Sequence, residues 1–180
     1  MAMIGWGKPR IFYKPLGEGG TWKEFNTPVE GSTTLSTTKG DKTEAKIEGG
    51  ANEDVKYGNN TYALTFNIRA AKDRSRPIED IDGVISKNYA IALQPEDPTV
   101  QGFVIEAATA SVEDSFSSAD GGVWAYTFDA LVPTQTAFST SKKQVQWGVV
   151  AITTDDSGKV STLTINVDGD TAKEPAPNPA

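Results

Sequence analysis

The chain has 180 residues, 24 of them acidic and 17 basic, giving a formal net charge of -7 and an isoelectric point near 4.6; it contains neither cysteine nor histidine. Those two absences exclude a Ser-His-Asp triad, a Cys-His nucleophile pair, imidazole or thiolate metal ligation and any disulfide. Chemistry would have to run on carboxylates, Lys, Tyr or a hard cation, and an acidic chain with no run of Lys or Arg is a poor gripper of duplex nucleic acid.

The first residues, Met1-Ala2-Met3-Ile4-Gly5-Trp6-Gly7-Lys8, offer neither a basic n-region nor an apolar h-region, so no secretory signal is expected. No apolar stretch approaches the roughly 20 residues of a membrane span, and no membrane partner is expected. Residues 1–22 read as an N-terminal arm containing a weak strand over 10–14. Trp6, Phe12 and Trp22, with Phe25 just beyond, are the apolar residues such an arm could dock onto another subunit.

Further weak strands are expected at 33–38 and 43–48, and a strong one over 61–69, where Tyr62, Leu64, Phe66 and Ile68 alternate with Thr61, Ala63, Thr65, Asn67 and Arg69. Pro77-Ile78-Glu79-Asp80-Ile81-Asp82-Gly83-Val84-Ile85 breaks this rhythm. Its leading Pro, early acids and the spacing of Ile78, Ile81, Val84 and Ile85 predict a helix of about two turns. Strands then follow at 89–93 and 102–112, the second long enough to bend or bulge.

Trp124, Tyr126 and Phe128 mark a strand over 123–131. Val145, Trp147 and Val149 mark the next, and Leu163, Ile165 and Val167 the last. Tyr57-Gly58-Asn59-Asn60, Ala119-Asp120-Gly121-Gly122 and Asp155-Asp156-Ser157-Gly158 are turn signals. The Pro-rich tail from 169 to 180 is expected to be flexible, leaving one mainly β domain over 23–168, sandwich or barrel-like, with one short helix.

Glu53 and Asp54, Glu79, Asp80 and Asp82, Glu96 and Asp97, and Glu113 and Asp114 are the acids from which a glycosidase-type pair could be drawn. Each lies in a loop or at a helix start, where acids are ordinarily solvated or cap backbone amides. The Asp155 turn and Asp168-Gly169-Asp170 lack the spacing of an EF-hand, so no metal or other cofactor is expected. Trp124, Tyr126, Phe128 and Trp147 fit either a sugar-stacking platform or the core face of strands. Asn59-Asn60-Thr61 has the form of a glycosylation acceptor, and the glycine clusters lack the strand-then-helix context of phosphate loops.

In order along the chain come Thr27-Pro28-Val29-Glu30-Gly31-Ser32-Thr33-Thr34-Leu35-Ser36-Thr37-Thr38-Lys39-Gly40-Asp41, then Glu44-Ala45-Lys46-Ile47-Glu48-Gly49-Gly50, the strand over 62–68, and the acidic 77–85 segment. Phe103 to Val112, the turn Ser117-Ser118-Ala119-Asp120-Gly121-Gly122 and the strand over 123–131 follow. Over roughly residues 8–168 this succession resembles the major tail tube proteins of long-tailed (siphovirus-like) bacteriophages. The resemblance implies a sandwich of two antiparallel sheets with a flanking helix, in a structural, non-enzymatic virion protein of the phage tail. Its subunits would form hexameric rings in the bacterial host cytoplasm, stacked into a tube through which the genome is ejected.

Implied partners are further copies of the chain, the tape measure, tail terminator and baseplate or tip proteins, and DNA that passes without specific binding. The resemblance also makes residues 39–60 the region that reaches the next ring, with Asp41, Lys42, Glu44, Lys46, Glu48, Glu53, Asp54 and Lys56 supplying charges of both signs. Longer relatives add an immunoglobulin-like domain at the C-terminus; none is read here, so no adhesion role is expected. The acidic balance fits a conduit, because each lumenal cation would hold a phosphate while acids repel DNA within a Debye length of about 8 Å. The alternative reading is a carbohydrate-binding β-sandwich using Trp124, Tyr126 or Trp147, and behind it a carboxylate-based hydrolase.

Overall fold

In the strand over 61–69 Leu64, Phe66 and Ile68 are fully enclosed and Tyr62 is half-buried, so the period-2 pattern is realised as expected. The computed structural model describes residues 6–17, 20–133 and 143–166. The expected tail and the first five residues of the arm lie outside the described residues.

Eleven strands are described: β1 (Arg10–Pro15), β2 (Lys23–Glu24), β3 (Thr34–Thr38), β4 (Lys42–Lys46), β5 (Asn52–Tyr57), β6 (Thr61–Arg69), β7 (Val84–Gln94), β8 (Gly102–Ser117), β9 (Gly121–Ala130), β10 (Gln146–Thr154) and β11 (Val160–Asn166). All their pairings are antiparallel, with spatial order β2-β1-β7-β8-β9-β6-β3 and β4-β5 as a separate two-stranded sheet. At 16 residues β8 is long enough to take two partners end to end on one edge. Gly102, Phe103 and Val104 pair with β10, and Ala108 to Ser117 pair with β9. Register shifts between β7 and β8 at Val84/Asn88 and at Tyr89/Ile91 supply the irregularity expected of so long a strand.

Two apolar clusters lie on opposite faces of β1, β7 and β8. Ile11, Tyr13, Tyr89, Ile91, Phe103 and Ile105 face the first, while Phe12, Ala90, Ala92 and Val104 face the second. Strands buried on both faces need apolar residues at every position, which is why these segments read as short apolar runs without clear alternation. In the first cluster Phe66 stacks on Phe128 at 5.8 Å and 8°. Phe25, brought in by its amide bond to the Ile11 carbonyl, lies 4.3 Å from Tyr13 and 4.9 Å from Phe66. The second cluster is closed by Trp22 and by Val150, Leu163 and Ile165 of the β10–β11 hairpin. Gln94, buried, donates its Nε2 to the Val150 carbonyl at 2.8 Å and ties that hairpin to β7.

The helix expected over 77–85 is absent, and no helix occurs among the described residues, so none there could cross a membrane. Asp82 and Gly83 both take positive φ, 50° and 83°, which makes Ile81 to Val84 a two-residue hairpin turn closed by reciprocal 3.0 Å bonds. The Asp-Gly pair overrides the helical spacing: Ile78 and Ile85 are buried, while Ile81 and Val84 are 81% and 69% exposed. β10 also departs from expectation in phase. Gln146 and Val150 point into the protein and Trp147 is 51% exposed, because the hairpin turns its alternate face to the second cluster.

Phe66→Ala is expected to lower the unfolding free energy by about 3–5 kcal/mol in urea titration. Phe116→Ala, at a side chain 82% exposed, is expected to change it by no more than about 0.5 kcal/mol.

Candidate assembly surface

β4 and β5 form a ribbon on which Glu44 alone is half-buried and every residue of β5 is exposed. Its base is fixed by the Gly58 amide on the Asp41 carbonyl at 2.8 Å, the Gly40 amide on Asn60 Oδ1 at 3.2 Å, and Gln144 Nε2 on the Asn60 carbonyl at 3.1 Å. The chains pass so closely here that a Cβ at Gly40 would collide with the Gly58 carbonyl. At the tip the Ile47 amide bonds to the Ala51 carbonyl at 3.0 Å and the Gly50 amide to the Ile47 carbonyl at 3.1 Å.

The eight charged residues expected to meet the next ring therefore share one projecting element: Asp41 at its base, Glu48 in its tip, and Lys42, Glu44, Lys46, Glu53, Asp54 and Lys56 on its strands. Lys42 and Lys46 both pair with Glu44, the second at 3.6 Å. The Lys39 ammonium lies 4.3 Å from the centre of the Tyr57 ring. Exposed pairs of this kind contribute only about 0–1 kcal/mol each, and an isolated two-stranded ribbon is marginal in water.

Of the three residues expected to dock an arm, Phe12 and Trp22 are buried in the chain's own second cluster, and β1 pairs along its whole length with β7. Trp6 is 75% exposed. It lines a cavity of about 600 Å³ together with the residues just before β1, the segment leading into β3, and residues of β3, β6, β7 and β8. Pro28, Val29, Leu35, Leu64, Leu93 and Phe103 supply its apolar walls, and Lys8 and Glu30 are its charged residues. No local pattern in the sequence signals this cavity, since its walls come from five separate stretches of chain.

The aromatic platform does not come together. Tyr126 and Phe128 are enclosed in the first cluster, Trp124 lies half-buried 5.5 Å beneath the Arg76 guanidinium, and Trp147 rests against Phe103 at 5.2 Å. The candidate acids are likewise occupied or scattered. Arg76 holds Asp80 at 2.8 Å and pairs also with Asp114, and the Asp80 carboxylate accepts the Gly83 amide at 2.7 Å. This clamp seats the 76–84 segment on β8.

The Glu96 carboxylate accepts the Lys8 amide at 3.1 Å. The Asp97 carboxyl accepts the Thr99 hydroxyl and amide, which hold it below the ordinary carboxylate range. In the Asp155 turn the carboxyl is lowered in the same way by the Ser157 hydroxyl and the Lys159 and Ser157 amides, so its oxygens are engaged by its own loop. No group of three or more acids placed to hold a metal ion occurs among the described residues.

No protein-family model matches the chain, and no curated protein matches it.

Burial pushes the Tyr126 phenol from its ordinary 10 up to about 12, with the Ile78 backbone and Arg76 pulling the other way. Burial raises Tyr13 and Tyr89 as well. The folded chain holds the Tyr126 proton more tightly than the unfolded one, so its contribution to stability is complete below pH 10 and is lost as pH rises towards 12. Unfolding free energy measured in urea should fall across that interval, and Tyr126→Phe should flatten the fall.

Proposed function

We propose that the chain is a structural subunit that assembles with copies of itself, the tail tube protein of a long-tailed bacteriophage, and that it works without a catalytic step. On this reading β1, β7 and the first half of β8 form one layer of a sandwich and β3, β6, β9 and the second half of β8 the other, closed over the first cluster. Rings of subunits stack into a hollow tube in the virion. The tape measure, tail terminator and baseplate or tip proteins are its neighbours, and DNA slides past an acidic chain that offers it few cations.

The observation that carries the reading is the β4–β5 ribbon, a charged arm of mixed sign that, among the described residues, pairs with no strand of the main sheet and is exposed along almost its whole length. The strand edges point the same way. Among the described residues β3 pairs with β6 alone and β11 with β10 alone, and neither strand carries a charge or a proline to guard its outer edge. A neighbouring copy laid against such edges satisfies their free backbone groups. Contact of unlike surfaces closes into a ring or propagates as a filament.

Sedimentation of the full chain over a wide concentration range, with negative-stain microscopy of the concentrated fractions, is expected to show concentration-dependent association into rings or tubes of uniform bore. A strictly monomeric chain under all conditions, including with phage initiator proteins present, would overturn the proposal.

A further inference from the structure

Among the described residues the ribbon pairs with no strand of the main sheet, and the cavity is a separate feature lined by other stretches of the chain. At the ribbon tip Ile47 is 51% exposed, and Gly49 and Gly50 beside it have no other atoms within 4 Å of where a Cβ would stand. The tip is therefore slender and carries one bulky apolar side chain. Five paired residues of β4 at about 3.3 Å each carry it roughly 17 Å beyond the base. None of the tip residues lines the cavity of its own chain.

The cavity is mainly apolar and, at about 600 Å³, has ample room for Ile47 with the two glycines and Ala51. Its lining includes Lys8 and Glu30, one charge of each sign. The tip presents Lys46 and Glu48 on either side of Ile47. Lys8, Glu30 and Glu48 make no ion pair among the described residues. Seating Ile47 lets Lys46 meet Glu30 and Glu48 meet Lys8, a pairing whose signs fit in one orientation and repel in the reverse.

We propose that the β4–β5 tip of one copy inserts Ile47 into the seam cavity of a second copy. The inference rests on the self-assembly reading above and names the two surfaces that meet in it. The contact is heterologous, since donor and acceptor lie on different parts of the chain, so every copy can give and receive one insertion and the contact propagates.

A chain without cysteine allows a clean test. An Ile47→Cys chain mixed with a Thr33→Cys chain, Thr33 being in the cavity lining, is expected to give a disulfide-linked pair under mild oxidation at assembling concentrations. Ile47→Cys mixed with a Ser118→Cys chain is expected to give none. Ile47→Asp is expected to raise the concentration needed for association about 10- to 100-fold, the effect of keeping one isoleucine side chain out of an apolar site, while Ile47→Leu assembles as the parent does.

Because residue 47 is exposed, circular dichroism and melting of these variants should match the parent. Rings or tubes that form equally well with Ile47→Asp, or cross-linking as strong to position 118 as to position 33, would overturn the insertion and leave the tube-subunit reading standing. A chain monomeric at every concentration would overturn both.

Discussion

The structure depends on three strands, β1, β7 and β8, being buried on both faces. Their odd and even side chains serve different clusters: Ile11 and Tyr13 one way and Phe12 the other, Ile91 one way and Ala90 and Ala92 the other. Alanines at the second face let the β10–β11 hairpin approach closely, while the aromatic stack of Phe66, Tyr126 and Phe128 fills the wider space on the first. A layer so confined cannot slip by one residue, because a slip would exchange large and small side chains across both faces at once. That fixed register positions the base of the ribbon and the mouth of the cavity.

The periphery follows a different economy. The β4–β5 ribbon is held by its ladder and a few solvent-facing ion pairs, and its side chains bury almost nothing within the chain. Its apolar residues Ile47, Val55 and Tyr57 are all exposed, whereas the central strands of the body enclose theirs, as with Leu64, Phe66, Ile91 and Ile105. Under the proposed self-assembly, a well-packed body bearing a lightly supported arm would gain its last stabilising contacts from neighbouring copies.

The acids illustrate how much of a carboxylate's meaning is set by its surroundings. Asp80 and Asp114 come together around Arg76, near Trp124 and Tyr126, an arrangement whose residue types would suit a reactive site. The one guanidinium pairs with both, Asp80 is also bound to the Gly83 amide, and the cavity lies elsewhere, so the cluster acts as a clamp on the turn before β7. Asp97 and Asp155 accept bonds from their own turns, and Glu53 and Asp54 stand on the exposed ribbon. The absence of Cys and His narrows the chemistry, and the geometry gives Asp80 and Asp114 a structural task.

The sequence by itself determined the antiparallel β character, the alternating strands β6 and β9, the tight turns and the charged stretch between β3 and β6, because period-2 burial and turn chemistry are local properties of the chain. It also contained, in Asp82-Gly83, the signal for a hairpin turn that the helical spacing of nearby isoleucines obscured. Only the tertiary structure decided that Phe12 and Trp22 belong to the chain's own core and that Trp147 faces outward. It alone could gather Trp6, Val29, Leu35, Leu64 and Phe103 around one cavity. Which face of a strand is buried, and which distant residues share a wall, depend on what other elements pack against it, and that information is spread over the whole chain.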